Sequence, residues 1–194
     1  MKKTAQFGLN QWELSDRIQM EDFNADNAKI AEELSRLREI VANISYTVLQ
    51  LGVGGTLQNE FNASQHALLC QPYDHPEYFT CTGGATMEGG VVKLSGAGAV
   101  GTVSSNRVFY VPNSLTEVRL WLHRRNGSVI PTINGVTLEK VRDFDDRTPL
   151  ENAPCRCDEF VGQVRTNGSF NVSMELRCGS SSSMTLYDYT LVTL

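Results

Sequence analysis

The chain is short of the residues that most hydrolytic chemistry needs. Its three histidines, His66, His75 and His123, are its only side chains that titrate near neutral pH when unperturbed. None stands in a Gly-x-Ser-x-Gly or comparable nucleophile setting, so no catalytic residues are assigned and the chain is not read as an enzyme. Basic runs are missing as well. With 17 Lys and Arg against 22 Asp and Glu, the formal net charge is −5, and the phosphate-contact electrostatics of nucleic-acid binding are absent. No apolar run approaches the ~18 residues of a membrane span. The opening MKKTAQFGLNQWELSDR carries two lysines but no apolar stretch after them, unlike a secretory signal. Together these predict a soluble chain made in a cytoplasm, without membrane insertion. Cysteines number five, an odd count with no regular framework, which fits reduced thiols better than a disulfide scaffold. Asn-x-Ser sequons at Asn43, Asn62, Asn126, Asn167 and Asn171 then read as turn and strand residues, not glycan acceptors.

Metal and acid chemistry are thin by spacing. Glycoside hydrolysis requires two carboxylates facing each other across a cleft. Asp143, Asp145, Asp146 and Glu151 in RDFDDRTPLENAP are available, but Arg142 and Arg147 beside them read as a solvated, self-paired loop. The same Asp143-x-Asp145-Asp146 run lacks the EF-hand pattern for calcium. Cys155-x-Cys157, followed by Asp158 and with Cys178 distant, lacks the gaps and the second paired half of structural zinc. No cofactor and no metal is expected, and the thiols read as small buried groups.

What the sequence does have is a seam. Phe23, Ile30, Leu37, Ile44 and Leu51 repeat every seven residues, and Asn27, Leu34, Val41 and Val48 fall four residues after each of the first set. Alternating spacings of four and three make a stripe too narrow for a globular core and suited to lie against identical helices. Ile at the positions of the first row packs poorly in a parallel dimer, which points to a parallel homotrimer, and Ile40 widens the apolar face. Asn27 would fix register, while Glu33 and Arg38 are placed to pair between chains. Residues 23–52 are therefore read as a coiled-coil stalk, followed by a Gly-rich joint at 53–57 where Gly52, Gly54 and Gly55 end the helix.

Residues 1–22 hold Phe7, Leu9, Trp12, Leu14, Ile18 and Met20, too much apolar surface for a frayed end. They are read as an arm that docks, through Phe7, Leu9, Trp12 and Ile18, with Ser15-Asp16 as a helix cap. The run FGLNQWELSDRIQMEDFNADNAKI, Phe7 to Ile30, resembles the N-terminal segment of phage and prophage tail proteins from Gram-positive gut bacteria. Leu9, Asn10, Trp12, Glu13, Asp16, Ile18, Asp22, Phe23, Asn24, Asp26, Asn27, Lys29 and Ile30 carry the match. The resemblance implies a virion structural protein, its N-terminal end anchored on other tail or baseplate proteins and its C-terminal end facing outward.

From residue 58 onward the pattern is that of strands. Val118, Leu120 and Leu122 alternate with Arg119, Trp121 and His123, and Phe170, Val172, Met174, Leu176 and Cys178 alternate with Asn171, Ser173, Glu175 and Arg177. Asn126-Gly127 and Asn167-Gly168 sit between such runs as hairpin turns. About nine short strands without helix predict an all-β antiparallel sandwich, jelly-roll-like, over 58–194. The succession GTVSS, YVP, VRLWLH, VIPTING and SSSSMTLYDYTLVTL looks like carbohydrate-binding-module-type sandwiches on fibre tips.

Sugar binding needs an open aromatic ring beside polar groups. Trp121, between Arg119 and His123 on the strand face away from the core, is the first candidate, with Tyr73, Tyr78 and Phe144 behind it. The competing reading places that face against the other subunits of the trimer, where Trp and Arg also concentrate. The sequence thus predicts a short homotrimeric tail fibre whose sandwich head binds a bacterial surface glycan. The alternative is an architectural virion component without a ligand, and a depolymerase comes third.

Overall fold

The structure is a computed structural model that describes residues 2–17, 19–53, 60–63, 66–73, 76–106, 109–110, 115–148, 152–167 and 169–194. It divides into two compact units, Met1–Ile44 and Ser45–Leu194.

In the first unit, β1 (Lys2–Lys3) pairs antiparallel with β2 (Asn10–Gln11), and a helix, α1 (Met20–Val53), begins there and continues past Ile44. At 1.5 Å per residue its 34 residues span about 51 Å. Gly8 closes the hairpin at φ 61°, its N–H donating to the Thr4 carbonyl at 2.9 Å. Asp16 does not cap the helix: its carboxylate accepts the Glu13 N–H at 2.9 Å, tying off a local turn upstream. Nor is the segment a loose arm. Asp22, Asp26 and Lys29, spaced by four and three, share a helix face, and the preceding strand lies on it. Asn10 donates its N–H to Asp26 at 2.9 Å and its amide to the Asp22 carbonyl at 3.3 Å, while Lys29 Nζ donates to the Gly8 carbonyl at 2.7 Å. Trp12 stacks on Phe23 with ring centroids 5.5 Å apart. Trp12 is thus spoken for within the chain, and Phe23 carries Trp12 as well as lying in the seam. Ile18 lies outside the described residues, as do residues 54–57 of the expected joint and the side chains of Val48 and Leu51.

The second unit is a sandwich of two antiparallel sheets. Its strands are β3 (Glu60–Ala63), β4 (His66–Pro72), β5 (Phe79–Thr82), β6 (Thr86–Glu88), β7 (Val91–Ser95), β8 (Val100–Ser105), β9 (Phe109–Tyr110), β10 (Leu115–Arg125), β11 (Ser128–Ile133), β12 (Val136–Thr137), β13 (Glu139–Arg147), β14 (Pro154–Arg165), β15 (Ser169–Phe170), β16 (Val172–Arg177) and β17 (Ser183–Thr193). An eight-stranded sheet runs β13-β14-β10-β17-β4-β3, with β7 also on β17 and β6 on β7; a five-stranded sheet runs β12-β11-β16-β8-β5. The short β9 and β15 pair separately. Between the sheets, Val118, Leu120, Leu122, Phe160, Leu186 and Leu191 of the large sheet meet Val103, Ile133, Met174 and Leu176 of the small one in a single buried cluster.

The strand count exceeds the expected nine, and one reason is instructive. The acidic stretch read as a loop is the edge strand β13. Charged residues on an edge discourage further strand addition, and they also hide the strand's period from a reading based on apolar alternation.

The Asn-Gly dipeptides predicted as hairpin turns have Asn126 at φ 58° and Asn167 at φ 48°. Neither joins two paired strands: β10 and β11 lie in different sheets, and β14 pairs with neither β15 nor β16. Each dipeptide carries the chain out of the large sheet instead of closing a hairpin, and Gly168 lies outside the described residues. At Gly127, φ is also 58°, and an added Cβ would lie 2.5 Å from the Arg177 carbonyl oxygen and 2.8 Å from Met184 Sδ. Gly135, at φ 79°, faces open space. Gly127→Ala is therefore expected to cost more than Gly135→Ala, by about 1 kcal/mol or more, measured as the difference in urea unfolding free energy.

Candidate functional site

Strand β10 sits centrally, between β14 and β17. Its apolar side enters the core as predicted, but its other side is not open: Trp121 is 1 % exposed, His123 1 % and Arg119 8 %. Trp121 therefore offers no ring face for a sugar, and the face is covered within the chain without recourse to another subunit. Tyr73 is also internal, its ring 4.8 Å from Phe79 and 6.2 Å from Tyr189 and its hydroxyl 3.6 Å from Met174 Sδ. Burial pushes that phenol's pKa well above its usual value. Tyr78 is half-buried, and Phe144, on β13, lies under the Arg142 guanidinium at 5.5 Å.

On this outer side of the large sheet the register builds a polar layer. Residues directly opposite across adjacent antiparallel strands share a face. His123 is opposite Asp188 on β17 and Cys157 on β14, Trp121 is opposite Thr190 and Glu159, and Arg119 is opposite Val192 and Val161. The charged members are paired. Arg119 donates to Glu117 at 2.9 Å and to Glu159 at 3.4 Å, and Arg142 binds the same Glu159 from β13. On the opposite side, buried Asp158 accepts Arg124 Nε at 2.5 Å and Lys140 at 2.9 Å.

The layer's focus is His123. Its Nδ1 lies 2.7 Å from Asp188 Oδ1, and its Nε2 lies 3.3 Å from Asp146 Oδ2 on β13. Cys157 Sγ completes a group in which the donor atoms of His123, Asp146 and Cys157 all lie within 4.8 Å of one another. These three residue types are those that ligate transition metals. Asp143 and Asp145, by contrast, are bound by Arg156 on the other face of β13, so the acidic run does not converge as a calcium site would require. The sequence reading placed His123 beside Trp121 as a sugar contact and missed its link to Cys157. The missing signal was strand pairing, since Asp146 and Cys157 lie on strands that no motif joins to β10.

No family model matches the chain, and neither does any curated protein. Solved structures that resemble it at low scores include two sugar-binding domains. The carbohydrate recognition domain of Emp47p aligns at a TM-score of 0.41 and 10 % identity, over 69 % of this chain and 99 % of that one. TmCBM61, solved in complex with β-1,4-galactotriose, aligns at 0.28 and 11 %, over 68 % and 89 %.

Burial alone would depress the His123 pKa, but the charge and hydrogen bond of Asp188, aided by Cys157, outweigh it and push the value up to about 12. The folded value lies above the unfolded one, so this contribution to stability is whole below pH ~6.5 and is lost as pH rises from there toward the folded value of about 12. In chelator-treated protein, urea unfolding free energy should fall by up to about 1.4 kcal/mol per pH unit above pH ~6.5. Asp188→Asn should lower stability at pH 6 and flatten that slope.

Proposed function

We propose that the chain is a virion structural protein, a short fibre in which three copies associate in parallel through α1 and the sandwich of each copy contacts the bacterial surface. The observation that carries this is the uncovered heptad face of the helix. Leu34 is 56 % exposed and Ile44 59 %, and Ile30, Leu37, Ile40 and Val41 are exposed beside them. Such a run costs solubility unless something covers it. The four-and-three spacing favours another copy of the same helix, and Ile30 and Ile44 in the first row favour three strands. The groove formed by Leu9, Ile30, Leu34 and Leu37 supplies holes next to those knobs. Glu33 faces Arg36 along its own helix at 3.8 Å, a weak exposed pair that leaves apolar contact as the main drive.

The resemblance of residues 7–30 to phage tail proteins supports the particle location, with other tail or baseplate proteins as partners. The residues of that match make a clasp: Asn10, Trp12, Asp22, Phe23, Asp26 and Lys29 hold the first strand pair to the helix. Docking to the particle would then use a preformed surface, including exposed Phe7 and Leu14.

The architectural reading has one observation in its favour. Of the five residues named for glycan contact, Arg119, Trp121, His123 and Tyr73 are buried and Tyr78 is half-buried. An attachment role must then use a different part of the sandwich surface, and no catalytic step is assigned to it. Joining three such modules would raise weak contacts by effective concentration.

Analytical ultracentrifugation of the full chain at micromolar concentration should give a trimer, and Ile30→Asp combined with Ile44→Asp should give monomers. A monomeric native chain would end the fibre reading. Pull-down of the full chain on Gram-positive cells or wall polysaccharide should show binding that weakens in the double variant. A trimer that binds neither belongs to the architectural class.

A further inference from the structure

We propose that His123, Asp146 and Cys157 form a binding site for a divalent transition metal of the zinc class, with Asp188 as the residue that positions His123. This stands apart from the fibre reading, since it depends on the sandwich alone.

The donor set is a nitrogen, an oxygen and a sulfur, drawn from β10, β13 and β14. A thiolate beside an imidazole selects zinc-class ions over calcium or magnesium, which take oxygen ligands. Tetrahedral coordination at Zn–N and Zn–O near 2.0 Å and Zn–S near 2.3 Å places donor atoms roughly 3.3 to 3.6 Å apart. The three donor atoms lie within 4.8 Å of one another, and Nε2 is already 3.3 Å from Asp146. Closure needs only side-chain rotation, because the backbone positions are fixed by paired strands. His123 and Cys157 are direct cross-strand partners. Asp146, paired with Cys155, is diagonal to Cys157.

Asp188 supplies what a ligating histidine ordinarily has, a carboxylate on its other ring nitrogen, here at 2.7 Å. That bond holds Nδ1 protonated and turns Nε2 toward Asp146 and Cys157, where an incoming ion displaces the Nε2 proton to solvent. The second Asp188 oxygen is buried with no hydrogen-bond partner among the described residues. A buried carboxylate oxygen left so is costly, and a dication held by the neighbouring imidazole compensates it. The Asp146 carboxylate and the Cys157 thiolate match the charge of a dication, while the Asp188 carboxylate keeps the His123 Nδ1–H as its partner. The ion has a way in, because Asp146 is on the edge strand and its side chain is 34 % exposed.

The test uses the reduced, chelator-stripped full chain titrated with cobalt(II). One equivalent should bind, with a thiolate-to-cobalt charge-transfer band in the near ultraviolet and tetrahedral ligand-field bands in the red. Cys157→Ser should lose the charge-transfer band, and Cys155→Ser should keep it. Asp188→Asn should keep the band but bind cobalt about 10- to 100-fold more weakly. Absence of the band in the native chain, or its survival in Cys157→Ser, overturns the site, and native affinity in Asp188→Asn overturns the role of Asp188. Should Cys157→Ser fail to fold, zinc X-ray absorption of the native chain decides. One sulfur near 2.3 Å with nitrogen and oxygen near 2.0 Å supports the site, and a shell without sulfur overturns it.

Discussion

Strand β10 is buried on both faces, and most of what is distinctive in the sandwich follows from that constraint. Its Val118, Leu120 and Leu122 side meets the small sheet in an ordinary apolar core. Its Arg119, Trp121 and His123 side cannot be solvated, so every charge there must find a partner inside. The pairing is met across strands: Glu159 takes Arg119 and Arg142, and His123 takes Asp188 and Asp146. Removing Asp188 from the His123–Asp188 pair, buried on both sides, would strand a buried charge, a loss of about 3–5 kcal/mol for pairs of this kind. Residues drawn together to satisfy that demand also make the one place among the described residues where histidine, cysteine and carboxylate meet.

The helical unit obeys the opposite constraint. Here the apolar residues are plain to see, and Ile30, Leu34, Leu37, Val41 and Ile44 are exposed among the described residues. The N-terminal strand pair takes one face through Asp22, Asp26 and Lys29, and stacking of Trp12 on Phe23 closes the first turn. That arrangement gives a physical reason for the residue spacing of the N-terminal segment. Asn10, Asp22, Asp26 and Lys29 are each a hydrogen-bonding partner in the clasp, so their spacing is a folding requirement.

Local periodicity decided a good deal. Strands near 118–123, 128–133 and 172–177, the Asn126-Gly127 turn, and the helix over the heptads all follow from side-chain alternation or the positive φ that Asn and Gly accept. Cys178 was placed on an apolar strand face and is buried in the core. These features depend on neighbours within a few residues, and a sequence displays such neighbours directly.

What the sequence could not decide is which side of a strand meets water, and which distant strands lie alongside. A polar row such as Arg119, Trp121 and His123 reads as an outer face, because polar groups are usually outside. It becomes interior only when Glu159, Asp188 and Asp146, from three other strands, arrive in register to neutralise it. Likewise an acidic run with two arginines reads as a loop until β14 pairs with it and Arg156 clamps Asp143 and Asp145. Register between strands far apart in the chain is set by the packing of whole sheets, and that belongs to the tertiary structure alone.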